Sequence, residues 1–200
     1  MNKILFFAGA LFCASTTFAA TIFVTPGTQT VNVGSSVNID VNLSGLGNGV
    51  TPSVGTYDLD VNFDSALLSF SSVTWGTGLD VLALGSIQFA TPGTGTVNLF
   101  ELSLDSVSDL NSLQLPTFRL FTLSFTTLAA GTSPVTISVN ALGDADGVAL
   151  PFNAIDGSLT IQETGGSPVP EPSTFLPIAI VLLGFGVRFR SGLCGRTIQD

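Results

Sequence analysis

Asp58 and Asp60 are the two residues of this chain whose types and spacing best suit catalysis. On an extended strand they project from one face about 7 Å apart, a separation that suits the acid and base of a glycosidase. They alternate with Tyr57, Leu59, Val61 and Phe63, however, which makes them the solvent side of a half-buried strand, where carboxylates serve solubility. Gly143-Asp144-Ala145-Asp146-Gly147 offers Asp144 and Asp146 to calcium but lacks the further ligands and distal glutamate of an EF-hand loop, so a plain acidic turn is the better reading. The chain has no histidine, its only lysine is Lys3, and Arg119 is the sole basic residue between Thr21 and Ser167. Histidine metal sites and Ser-His triads are thereby excluded, and no cluster of acid, base and nucleophile remains. The chain reads as a non-enzyme, with no cofactor expected beyond a weak calcium candidate at Asp144 and Asp146.

The same stretch sets twelve carboxylates against Arg119, a net charge of −11. That field repels phosphate backbones, so nucleic acid is excluded as a partner. Only 10% of the 200 residues are charged, while Gly, Thr, Ser, Val, Leu and Phe dominate, which points to one β-rich domain rather than a helical bundle or a disordered acidic tail. Cys13 and Cys194 both fall outside that domain, leaving it without disulfide or thiolate chemistry.

The strands that must carry these residues show as period-two alternation. Val37 to Leu43 and Tyr57 to Phe63 each place four apolar residues on one face and three polar residues on the other. A one-residue slip in the second would bury two aspartates, so its register is strongly specified. Tyr57 is in phase with the core set. Trp75, at a strand end before Gly76-Thr77-Gly78, is a candidate exposed aromatic, and Arg119 is expected to point outward at an edge. Further strands are expected over Thr28 to Val33, Leu67 to Trp75, Val97 to Leu102, Phe118 to Thr126, Val135 to Leu142 and Gly157 to Gln162, and Asp64 is expected to cap the turn after Phe63. No stretch shows ten or more residues of helical periodicity. The expected fold is an all-β antiparallel sandwich or jelly roll of about nine strands over residues 20–163.

Both ends carry addresses. Residues 1–19 combine Lys3, an apolar run from Ile4 to Phe12, and the small-x-small group Thr17-Phe18-Ala19, the parts of a secretory signal peptide cut after Ala19. A Pro-rich linker, 164–174, contains Pro170-Glu171-Pro172. It leads to thirteen mostly apolar residues, 175–187, and a basic tail, 188–200, opened by Arg188 and Arg190. Thirteen helical residues rise about 20 Å against a hydrocarbon core of about 30 Å, a marginal membrane segment suited to temporary docking. The positive-inside rule puts Lys3 and the arginine tail in the cytoplasm and the acidic middle outside. A permanent single-span anchor, holding a periplasmic domain without processing, is the alternative.

Val169-Pro-Glu-Pro-Ser-Thr174, the short apolar stretch and the arginine cluster together resemble the PEP-CTERM sorting signal of Gram-negative bacteria. That resemblance implies an inner-membrane intermediate processed by an exosortase-type enzyme, with Pro170, Glu171 and Pro172 as the motif, and delivery to the outer surface or extracellular matrix. The continuation from Ser191 to Asp200 and Pro177 within the apolar stretch depart from the family pattern. Val33-Gly-Ser-Ser36, Tyr57 to Asp64, Leu68 to Val73 and Thr127-Leu-Ala-Ala-Gly-Thr132 resemble a cohesin-type domain. This implies a nine-stranded jelly roll related to carbohydrate-binding modules and a role in docking partner proteins. The resulting expectation is an exported surface or matrix module that binds extracellular polysaccharide, with docking of a surface protein as the alternative.

Overall fold

The computed structural model describes residues 19–165. Thr17, the motif Pro170-Glu171-Pro172, the apolar segment 175–187 and the tail arginines Arg188 and Arg190 lie outside the described residues. Eleven strands and one short helix follow in chain order. They are β1 (Ala20–Thr25), β2 (Thr28–Asn32), β3 (Ser36–Ser44), β4 (Val54–Asn62), β5 (Leu68–Trp75), β6 (Ser86–Gly93), β7 (Thr96–Ser103), α1 (Val107–Leu113), β8 (Thr117–Thr127), β9 (Gly131–Asp144), β10 (Phe152–Ile155) and β11 (Gly157–Gln162). A five-stranded sheet runs β10-β1-β3-β8-β5 and a six-stranded sheet runs β2-β11-β9-β4-β7-β6.

The all-β sandwich expected from the alternation is present, with two corrections. The strands number eleven rather than about nine, because β1, β6 and β10 add to those expected, and the sheets are not antiparallel throughout. β1 pairs in parallel with β10, and β2 with β11. Both exceptions have one cause. The chain crosses between sheets at Pro26-Gly27, separating β1 from β2, and again at Asp156, separating β10 from β11. The first and last segments therefore lie side by side in both sheets. Asp156 holds its crossing by accepting the Ile137 N–H at 2.9 Å.

Between the sheets lie the inward sets of each strand: Ile22, Leu43, Tyr57, Leu59, Leu99, Phe121, Leu123, Phe125 and Leu159 are all essentially inaccessible to water. Each such large side chain contributes about 1.5–3 kcal/mol by leaving water. The rings of Phe63 and Phe125 meet edge-on with centroids 4.9 Å apart. Asp64 caps the following turn as expected, its Oδ1 accepting the Ala66 N–H at 2.9 Å.

The seven-residue α1 is shorter than the ten residues over which a helical pattern would show in the sequence. Ser106 caps its first turn by accepting the Asp109 N–H, and only Leu110 is buried. Gln114, just past its end, is buried and ties three segments together. Its Oε1 accepts the Val54 N–H at 2.6 Å, and its Nε2 donates to the carbonyls of Val54 and Gly78 at 2.9 and 2.8 Å.

Candidate docking face

Strands β9, β4, β7 and β6 present one continuous outer face, whose composition changes across it. Register aligns Ile87 with Leu102 and Phe89 with Phe100 on β6 and β7, and then Leu102 with Thr56 and Phe100 with Asp58 on β7 and β4. Alternation sends these side chains to the face opposite the core. Phe89 is 60% exposed, Ile87 and Leu102 are also exposed, and the Phe89 and Phe100 rings lie 6.1 Å apart. β6 is the edge strand, so this apolar stripe borders an open row of backbone groups.

Toward β4 and β9 the face becomes acidic. Asp58 and Asp60 lie outward as the alternation requires, and two asparagines bridge them. Asn98 Nδ2 donates to Asp58 Oδ1 at 2.6 Å and Asp60 Oδ1 at 2.9 Å, while Asn140 Nδ2 donates to Asp58 Oδ1 at 3.1 Å and Asp60 Oδ2 at 3.0 Å. Neutral amides orient these carboxylates without cancelling their charge. Arg119 is on the other sheet, outward and 46% exposed, 3.9 Å from Asp40. Its strand, β8, is flanked by β3 and β5 rather than lying at an edge, although its pairing with β5 ends at Phe121. The Asp58–Asp60 pair thus lies on the solvent side of the sheet, held by two neutral amides.

The inner side of the same strands holds a residue the sequence reading passed over. Glu101 is 1% exposed. Tyr57 OH donates to its Oε2 at 2.8 Å, and Ser86 OH and Gln88 Nε2 donate to its Oε1 at 2.6 and 2.9 Å. The signal was available: Val97, Leu99 and Glu101 share one phase of β7. Burial, followed by the charge and hydrogen bond of Glu101, pushes the Tyr57 phenol far above its ordinary range. This cluster joins β4, β7 and β6 beneath the apolar stripe.

The other expected residues are placed as follows. Tyr57 is core, as read. Trp75 is half-buried, its ring 6.2 Å from Phe121, so it forms no free aromatic platform. Asp144 closes the expected acidic turn, its Oδ1 accepting the N–H groups of Asp146 and Val148 at 3.0 and 2.8 Å. Among the described residues no three His, Cys, Asp or Glu side chains converge as a metal-binding group.

Residues 22–161 match the model of the cohesin domain family. Cellulose-binding protein A of Clostridium cellulovorans is 31% identical over 147 residues, 71% of this chain and 7% of that protein, so the chain spans only a small part of that relative's length. Among solved structures, a non-cellulosomal cohesin from the archaeon Archaeoglobus fulgidus is 18% identical with a TM-score of 0.55, covering 72% of this chain and 91% of that one. A cohesin–dockerin complex from Clostridium thermocellum supplies a match at 12% identity and a TM-score of 0.60, covering 76% and 98%. A cohesin from Clostridium acetobutylicum is 22% identical with a TM-score of 0.57, covering 76% and 95%. The family match over most of the described sandwich, together with the shared architecture, places this chain in the cohesin family.

Proposed function

We propose that the chain is a non-catalytic protein-docking module of the cell exterior, and that it docks through the outer face of β6, β7, β4 and β9. The observation that carries this reading is the stripe of Ile87, Phe89, Phe100 and Leu102 on an open sheet edge. A contiguous apolar surface bordered by polar groups gains free energy only when a partner covers it. Asp58 and Asp60 border the stripe with their charge uncompensated, so the complementary partner presents an apolar ridge flanked by Lys or Arg. Relatives solved as cohesin–dockerin complexes support a dockerin-like module as that partner.

A second reading, binding of extracellular polysaccharide, draws on Phe89 and Phe100 beside polar Asn98, and on the cellulose-binding relative. Docking ranks first because the two rings are tilted by 33° rather than coplanar, and Ile87 and Leu102 extend the patch beyond a sugar-stacking platform. The proposal includes export, processing by an exosortase-type enzyme, and display on the outer surface or matrix. Its support is the terminal sequence pattern and the start of β1 at Ala20, directly after the expected cut at Ala19, so that removing the leader leaves every described strand whole.

Binding of the purified chain to an immobilised type I dockerin, and separately to purified extracellular polysaccharide, tests the proposal beside a Phe89→Asp variant. Saturable dockerin binding that the variant loses while keeping its fold supports docking. Retention on polysaccharide alone, or dockerin binding unchanged by Phe89→Asp, sinks it.

A further inference from the structure

Asp105, between β7 and α1, is 9% exposed, and its two oxygens have different surroundings. Oδ2 accepts the Val81 N–H at 2.7 Å, while Oδ1 is buried with no hydrogen-bond partner in the protein. A buried carboxylate oxygen left in that state carries a desolvation cost that a native fold offsets with a ligand or water. Asp105 lines a cavity of about 100 Å³ whose wall also includes Gly55, Thr56, Ser103, Asp144 and Gly147. Asp144 arrives there from a different part of the chain, as the last residue of β9, where the chain turns. A Cβ on Gly55 would stand 2.8 Å from the Asp144 carbonyl oxygen and 2.9 Å from Ala145 Cα, so only glycine lets this turn lie so close to β4. The Asp144 Oδ1 is occupied by its own loop; among the described residues no donor is assigned to its Oδ2.

We propose that this cavity is a calcium site in which Asp105 and Asp144 are the carboxylate ligands. The donors available are all oxygen: two carboxylates, the hydroxyls of Thr56 and Ser103, backbone carbonyls and water. No histidine exists in the chain and no cysteine lies in the described residues, which excludes the nitrogen and sulfur sets of zinc or copper. Donors drawn from a strand, a loop and a turn are irregularly placed, which suits the variable coordination of calcium better than the strict octahedron of magnesium. The net charge of −11 between Thr21 and Ser167 raises the local concentration of cations around the site. Asp146 lines the neighbouring cavity, with Ser53 and Asn111, and is not part of this ligand set. Bound calcium ties the turn after β9 to the loop before α1. Leu102, at one end of the apolar stripe, lines the same cavity, so the ion also stiffens that end of the docking face.

The test uses the full chain purified in mild detergent and stripped of metal with a chelator. Calorimetric titration with calcium chloride is expected to show one ion per chain, and calcium is expected to raise Tm above that in sodium chloride of matched ionic strength. Asp105→Asn and Asp144→Asn keep an acceptor for the existing backbone N–H groups and are each expected to weaken calcium binding by about tenfold or more. Asp105→Asn is also expected to keep or raise Tm in the metal-free state, because it removes an unpaired buried charge. Asp58→Asn/Asp60→Asn is expected to leave calcium affinity unchanged. Absence of saturable uptake overturns the proposal. Uptake that survives Asp105→Asn, or that Asp58→Asn/Asp60→Asn weakens equally, overturns it in favour of diffuse cation binding.

Discussion

Replacing Tyr57 with phenylalanine removes one hydroxyl from the buried cluster around Glu101 and provides a sharp test of how that cluster works. Tyr57 OH donates to Glu101 Oε2 at 2.8 Å, and no other donor reaches that oxygen among the described residues. Loss of a hydrogen bond to a charged group, with the acceptor left buried, costs about 1.5–3 kcal/mol, so the variant is expected to be less stable by about 2 kcal/mol at neutral pH. Alkaline pH adds a second effect of opposite sign. The folded-state phenol pKa is raised, chiefly by burial, whereas in the unfolded chain the group ionises near its ordinary value of about 10. The native state thus keeps a proton that the unfolded state releases, and Tyr57 contributes stability that is complete below pH of about 10 and lost above it at about 1.4 kcal/mol per unit. Tyr57 is the only tyrosine and Trp75 the only tryptophan. Urea unfolding followed by Trp75 fluorescence, from neutral pH to one unit above the phenol value, reads both effects. The stability gap between wild type and Tyr57→Phe is expected to narrow by about 1.4 kcal/mol across that whole range, about 1 kcal/mol of it in the last unit. Parallel pH profiles for the two proteins, or tyrosinate absorbance in the native protein at the ordinary phenol pKa, would refute the burial argument.

Phe89→Asp is expected to abolish partner binding while leaving Tm within a few degrees, because the ring is exposed and its replacement disturbs no core contact; circular dichroism beside the binding assay checks both halves. Gln114→Leu is expected to lower unfolding free energy by about 3 kcal/mol in urea titration, since the Val54 N–H and two carbonyls lose their buried partner together. Replacing Pro170-Glu171-Pro172 with alanines is expected to retain a full C-terminus in the membrane fraction, where wild type yields a mature mass lacking both ends. Intact C-termini in both proteins would leave a simple membrane-anchored domain.

Much of the sandwich was legible because burial on one face writes a period of two into a strand. β4 is the clearest case, with Tyr57, Leu59 and Val61 inward and Asp58 and Asp60 outward. β6 escaped for the converse reason. As an edge strand it exposes Ile87 and Phe89 and turns Ser86 and Gln88 toward Glu101, reversing the polarity by which a strand is recognised. β10 is exposed along its whole length and carries no pattern at all. α1 is too short to show a helical period and is held by its cap and by Leu110. The parallel pairings depend on where the chain changes sheets, which no local periodicity encodes.

The amino-acid order by itself determined the all-β class, the faces of the central strands, the acidic and histidine-free character of the domain, and the apolar and charged pattern of the two termini. Those properties are local: they follow from side-chain type and from alternation over a few residues. Tertiary structure alone decided that Ile87, Phe89, Phe100 and Leu102 form one surface, that Asn98 and Asn140 bridge Asp58 and Asp60, and that Asp105 and Asp144 share a cavity. Each of these groupings joins residues from separate strands or loops, and only cross-strand register and close backbone packing bring them within reach of one another.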